Sequence, residues 1–414
     1  MEDVVEEIDD NDLELIDDQD VIDLEPYQVE EEPENGDEEG GEQMADEEEV
    51  VEVMEREDSV CIFEKHMASV FSGSISKDCK CAVTGGEDDK AYVWDIKTGQ
   101  IVLDCLDHKD SVIYAEFSFD DQYLVTGDMS GFVQVRKMPH PKVVWDYNMG
   151  DATWFLWHHM AHVLLAGSVE GEIYMWKIPD GDCKIIQGFG KRAETGCLFP
   201  DGKRLVVGYE DGIIRVIDLK ASAITATITS NTGHSLAITS LDCHLDNNLI
   251  ISSAVDGRTI ISSANTGKVI NILQNLGSES MEDDEEEAAC GNKNTQGNWV
   301  ESVAFLKDAK QIIAATGTLN GEIFIWNVAK KTLRHKVDQG SGVAKLAWKE
   351  NTSLLFSAGL DGIVRCYDGK SGNCVRTFLG HTEDILDLCI SKDGKLILTT
   401  SDDTTARVFE IDGL

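Results

Sequence analysis

One arrangement recurs along this chain: a turn rich in acidic, amide or Gly residues, then an apolar alternation that reaches a recurring slot, most often Trp. It is visible in GGEDDKAYVWD (85–95), GSVEGEIYMWK (167–177), GYEDGIIRVID (208–218), TGTLNGEIFIWN (316–327) and AGLDGIVRCYD (358–368). The slot holds Trp94, Arg136, Trp176, Ile217, Ser262, Trp326, Tyr367 and Phe409, in steps of 42, 40, 41, 45, 64, 41 and 42 residues. Alternation with a period of two marks strands with one face buried. A strand unit repeated at this interval predicts propeller blades of four strands each. Eight slots predict an all-β, eight-bladed propeller over residues 59–414.

A second spacing accompanies the first. Six residues before each slot stands Asp88, Ser130, Glu170, Asp211, Asp256, Asn320, Asp361 or Asp403, residues able to hold a tight turn. Twenty-two residues before four of them stands a histidine: His66, His108, His234 and His381. A histidine meeting the turn residue satisfies two half-buried polar groups that would otherwise cost about 1–3 kcal/mol each. The pattern resembles the WD-repeat family, in which His, Ser/Thr, Asp and Trp form a hydrogen-bonded network across a blade. The resemblance implies a structural role for His66, Asp88 and Trp94, for His108 with Ser130, for His234 with Asp256, and for His381 with Asp403. Arg136-Lys137 and Ser262-Ser263 depart furthest from the Trp-Asp pattern of Trp94-Asp95.

The last repeat ends soon after Phe409, without the outer strand that follows the slot elsewhere, as GQIVLDCL (99–106) follows Trp94. A strand-like segment at 59–65, SVCIFEK, precedes the first histidine and has no blade of its own. Pairing of that segment with the last blade would close the ring and remove its open edges.

The formal charge is −43, from 78 acidic and 35 basic residues, and it is unevenly placed. Residues 1–58 hold 29 acids against Arg56 alone, and residues 279–287 hold 7 more, leaving 42 acids against 34 bases elsewhere. The acidity therefore belongs to two appended segments. Like charges at the density of 1–58 repel and little apolar surface offsets ordering, so a disordered acidic tail is expected there. The second segment lies within an insertion, 277–298, that accounts for the 64-residue step. Eleven cysteines are scattered without CxxC pairs, and Cys79 and Cys81 are too close for a zinc knuckle. With no signal peptide and no apolar run near 18 residues, no membrane insertion is expected. The expected location is the cytoplasm, with the nucleus as second candidate.

No reaction motif is present. GFGKRAETG (188–196) matches neither GxGxxG nor GxxxxGK[ST]. His158 and His159 are adjacent in a strand-like run, which would send them to opposite faces; with His162 they read as loop and strand-end residues. The expectation is no enzyme, no metal and no cofactor. Lys191-Arg192, Lys203-Arg204 and Lys330-Lys331 are dispersed pairs, too sparse for direct nucleic-acid binding. A basic protein client is the expected partner, held by a monomer.

Carrying the family's loop positions across places one set per blade on a single end of the ring. They are Ser69, Phe71 and Glu87; Ser111, Ile113 and Met129; Asp151, Thr153 and Val169; Ala193, Thr195 and Glu210; Ala237, Thr239 and Val255; Trp299, Glu301 and Leu319; Gly342, Ala344 and Leu360; and Asp384, Leu386 and Asp402. This face has six carboxylates, no Lys or Arg, and interspersed apolar residues. The expected partner-binding residues are Phe71, Glu87, Met129, Asp151, Glu210, Trp299, Glu301, Asp384 and Asp402. An acidic, partly apolar concavity suits a basic peptide with a few apolar anchors.

GGEDDKAYVWD and GHTEDILDLCISKDGKLILTTSDDTTARVFE (380–410), with the acidic N-terminus, resemble one branch of the WD-repeat family more closely. Its fungal members are dedicated chaperones for a basic ribosomal protein of the large subunit, and its animal members are linked to cell migration and signalling. The resemblance implies a ribosome-biogenesis chaperone, with a signalling scaffold as the alternative.

Overall fold

Each repeat folds into a four-stranded antiparallel sheet, and eight such sheets form the ring. The computed structural model describes residues 56–276, 299–308 and 310–414. The insertion expected at 277–298 lies outside the described residues, as does the expected tail except for 56–58. Of those three, Glu57 and Asp58 bond to the ring. Asp58 N donates to Leu379 O at 2.9 Å, Leu379 N donates to the Asp58 carboxylate at 3.0 Å, and Glu57 pairs with Arg407.

In the first blade, β2 (Val70–Ile75), β3 (Cys81–Gly86), β4 (Ala91–Asp95) and β5 (Ile101–Cys105) pair in that order. Six further blades occupy 112–148, 152–186, 193–228, 238–275, 300–338 and 343–378 in the same order. The eighth takes β30 (Ile385–Ile390), β31 (Leu396–Ser401) and β32 (Ala406–Glu410) from one end of the chain. Its outer strand is β1 (Cys61–Phe63), with Cys61 opposite Val408 and Phe63 opposite Ala406.

The slot residues share one register. Trp94 faces Ala82, Arg136 faces Leu124, Ser262 faces Ile250 and Phe409 faces Ile397, each on its blade's second strand. All eight slots are buried, Arg136 and Ser262 included. Arg136 keeps its charge satisfied by Nη2 donating to Asp107 at 2.7 Å. The divergent blades thus retain the geometry while changing the chemistry of the slot.

Neighbouring blades are fastened at their inner strands, where backbone N–H groups would otherwise lack partners. Ser72 Oγ accepts Ala115 N at 3.1 Å, Ser240 Oγ accepts Val303 N at 3.2 Å, and Ser302 Oγ accepts Leu346 N at 3.0 Å. Gly73 N donates to Asp387 at 3.3 Å, which joins the last blade to the first. In the first and sixth blades the second strand comes so close to the next inner strand that a side chain would collide with it. A Cβ at Gly85 would sit 2.6 Å from Val112, and one at Gly317 would sit 2.5 Å from Val343.

Candidate functional site

The recurrent polar residues form networks inside the blades. His66 Nδ1 lies 2.9 Å from Asp88 and its Nε2 2.9 Å from Thr84, whose hydroxyl also accepts Trp94 Nε1 at 3.3 Å. His234 joins Asp256 at 3.1 Å and Ser252 at 2.8 Å, and His381 joins Asp403 at 2.7 Å and Thr399 at 2.8 Å. In the second blade the expectation of a His108–Ser130 contact is corrected. His108 Nδ1 meets Asp128 at 2.9 Å, and Ser130 Oγ donates to the same carboxylate at 2.7 Å. A hydroxyl cannot replace the turn carboxylate, so the acid is supplied two residues earlier. Gln339 was missed. Its Oε1 accepts Ser357 Oγ at 2.8 Å, in the place a histidine takes elsewhere. The signal was present, since Gln339 stands 22 residues before Asp361.

Burial alone would raise the Asp403 carboxyl, but the His381 and Thr405 hydrogen bonds outweigh it and hold the group well below the ordinary range. Asp88, Asp128 and Asp256 are lowered in the same way by their histidines, against burial. These groups serve the blade and are closed to a ligand. His158, His159 and His162 also make structural contacts. They lie in the turn after β10 (Ala152–Trp157), so the strand-based expectation of opposite faces does not apply: the His158 and His159 rings stack at 5.2 Å. They bond to the carbonyls of Gly202 and Pro200, and His162 pairs with Asp120. No group of three or more His, Cys, Asp or Glu among the described residues could hold a metal ion.

The expected loop positions come together at one end of the ring through a repeated backbone bond. Glu87 N donates to Ser69 O at 2.8 Å, Met129 N to Ser111 O at 3.0 Å, and Val169 N to Asp151 O at 3.2 Å. Val255 N reaches Ala237 O at 3.0 Å, Leu319 N reaches Trp299 O at 3.2 Å, and Leu360 N reaches Gly342 O at 2.9 Å. Asp402 N completes the set on Asp384 O at 3.0 Å. The second residue of each set is set apart by a β-bulge. Every inner strand shifts register at its second residue, leaving Phe71, Ile113, Thr153, Thr239, Glu301, Ala344 and Leu386 outside the ladder. Bulges re-aim side chains in this manner beside binding sites.

The fourth blade corrects the expected set by one residue. Glu210 N donates to Arg192 O at 3.0 Å, and the bulge leaves out Glu194, whereas Ala193 is wholly buried and Thr195 is back in the ladder. That blade has no histidine from which to count. The correction brings a cation to the rim, overturning the expectation of none. Arg192 pairs with Glu194 at 3.3 Å, and Lys191 pairs with Glu210 at 3.3 Å. Glu210 is therefore partly neutralised where it stands.

Elsewhere the rim stays acidic. Glu87, Asp151 and Met129 are exposed, while Phe71, Trp299, Glu301, Asp384 and Asp402 are half-buried. No cation among the described residues pairs with Glu87, Asp151, Asp384 or Asp402. Glu301 accepts Trp299 Nε1 at 2.9 Å, tying two of the expected residues together. The Asp384 carboxyl is raised by its partial burial and by the neighbouring charges of Asp402 and Asp361. Behind Phe71 and Ile113 the channel holds the Lys345–Asp387 ion pair and Glu116, which accepts the Tyr114 hydroxyl and whose carboxyl is pushed up by burial.

Comparison with known proteins agrees with this architecture. The family described as WD domain, G-beta repeat matches residues 57–95, 226–261, 330–368 and 372–410. Human angio-associated migratory cell protein is 40% identical over 356 residues, which is 85% of this chain and 80% of that protein. Ribosome assembly protein SQT1 of Saccharomyces cerevisiae is 22% identical over 89% of this chain and 90% of its own length. The crystal structure of Chaetomium thermophilum Sqt1 bound to the N-terminus of ribosomal protein L10 aligns with a TM-score of 0.74 at 21% identity. It covers 86% of this chain and 100% of that one, a likeness of fold.

Proposed function

This chain belongs to the family of angio-associated migratory cell protein, a family of WD-repeat propellers, and from that premise we propose that it is a non-enzymatic carrier for a basic protein client. The client's basic segment lies across the rim, against Glu87, Asp151, Asp384 and Asp402, with Phe71 and Trp299 as apolar anchors. The observation that carries this reading is the set of rim carboxylates left without cations of their own, beside exposed or half-buried apolar neighbours. Each exposed pair formed with a client would contribute only about 0.2–1 kcal/mol, so capture depends on several acting together with desolvated anchors.

A ribosomal protein is the client class that the relatives support. SQT1 is a ribosome assembly protein, and the Chaetomium neighbour is bound to the N-terminus of ribosomal protein L10. Cytoplasmic residence, where such a client is made, belongs with this reading. Titration calorimetry with an Arg/Lys-rich peptide tests the site. Combined Glu87→Lys, Asp384→Lys and Asp402→Lys substitution should abolish binding while the circular dichroism spectrum is kept. Wild-type affinity in a folded triple variant would show that this face is the wrong one.

A further inference from the structure

At the other end of the strands, one depression carries an excess of cations. The sixth and seventh blades have inner strands β22 (Val300–Phe305) and β26 (Val343–Trp348), which begin at the rim and run away from it. Beyond their far ends, roughly 20 Å from the rim at about 3.3 Å per residue, lies a depression of about 610 Å³. Its lining includes Lys307, Lys310, Arg334 and Lys370 against a single carboxylate, Asp308. The Lys307 ammonium is fixed on Asp242 at 2.7 Å and Cys243 O at 2.9 Å. Lys310, Arg334 and Lys370 have no carboxylate partner among the described residues. Three other lysines of this end are paired, Lys80 with Asp78, Lys177 with Asp180 and Lys395 with Asp412. Asp308 is already occupied in part, since it accepts Lys310 N at 2.8 Å. The floor is apolar, with Ile313 and Trp348 both buried.

We propose that this depression is a second binding site, for a compact ligand carrying two or more phosphoryl groups. Three unpaired cations over an apolar floor leave uncompensated positive charge in a concave setting, which focuses the field on an entering anion. A guanidinium fork beside two ammonium groups matches phosphoryl oxygens, which accept both bidentate and point-charge donors. Size selects a compact ligand, because the volume lies in the range of small-molecule pockets. Net charge selects it as well: a long polyanion would extend beyond the depression into the field of a chain with a formal charge of −43. A small one stays within about a Debye length, ~8 Å in physiological salt, of its cations.

The site is independent of the rim, and so is its test. Equilibrium dialysis of the full chain against inorganic pyrophosphate should show saturable binding with one ligand per chain. Lys310→Glu with Lys370→Glu should weaken it by about tenfold or more, since each reversal replaces an attraction with a repulsion. A control reversal of Lys203 and Lys220, exposed lysines at the same end, should leave it unchanged. The basic-peptide affinity at the rim should be the same in all three proteins, and melting curves should coincide because the substituted residues are exposed. Absence of saturable pyrophosphate binding at millimolar concentration would overturn the proposal. So would equal binding by the Lys310/Lys370 variant. Citrate binding as tightly as pyrophosphate would overturn the phosphoryl assignment.

Discussion

Asp403 shows what a single residue does in this fold. Its carboxylate is nearly buried, holds His381 at 2.7 Å and accepts Thr405 Oγ1 at 2.7 Å. Because its folded pKa lies below the ordinary aspartate value, about 3.9, its stabilisation is present above that pH and is lost as pH falls through the lowered value. His381 is lowered by burial, against the pull of Asp403, so its contribution is likewise lost as pH falls below about 6.5. Asp403→Asn should cost about 1–3 kcal/mol at pH 7, and should flatten the acid limb of stability below about pH 4. Urea unfolding at several pH values checks both, and an unchanged acid limb would remove Asp403 from the account. Asp384 at the rim has the opposite shift. A client cation favours its ionised form, so binding should be flat near neutrality and weaken as pH falls through the raised value, a step that Asp384→Asn removes in peptide titrations. The His–Asp pairs were legible because both partners sit at fixed spacing. Asp128 was hidden because the acid had moved off the spacing, and Gln339 because an amide had replaced the ring.

Among the elements, β1 has the largest consequence for its length. Phe63 is fully buried, stacks on Trp94 at 4.9 Å and lies 5.6 Å from Tyr92, so the outer strand of the eighth blade is also packed on the first. Phe63→Ala should cost about 3–5 kcal/mol, with a lower denaturation midpoint measured in urea, whereas Val60→Ala, at an exposed position beside it, should change little. Equal effects of the two substitutions would mean that β1 does not close the ring through this packing. The segment 59–65 could be read from the sequence as a strand without a blade, and the slots could be read because burial selects apolar residues at period two. The bulge that shapes the rim was not readable as a bulge. It falls on Phe71, Ile113, Thr153, Glu194, Thr239, Glu301, Ala344 and Leu386, residues with no common chemistry and no glycine among them. The extra residue is demanded by the geometry of the inner strand, and that leaves no mark on residue type.

For the whole molecule, the separation between fold and charge decides how capture should respond to salt. The ring has an ordinary surface balance, and the acids that make the chain extreme lie mainly in 1–58 and 279–287. On the proposed reading the rim carboxylates act over contact distances and the appended acids through the long-range field, which decays over ~8 Å in physiological salt and ~30 Å at 0.01 M. Two quantities should therefore part company. Dissociation of a basic peptide should depend on the rim, and change little when residues 1–55 are removed. Association should depend on the field: it should be faster for the full chain than for 56–414, with a difference that widens as salt is lowered and vanishes near ~1 M, where the Debye length is about 3 Å. Stopped-flow measurements across a salt series resolve the two rates. Parallel salt dependences for the two proteins would show that the N-terminal acids do not steer the client, and would leave the rim alone to account for both rate and affinity.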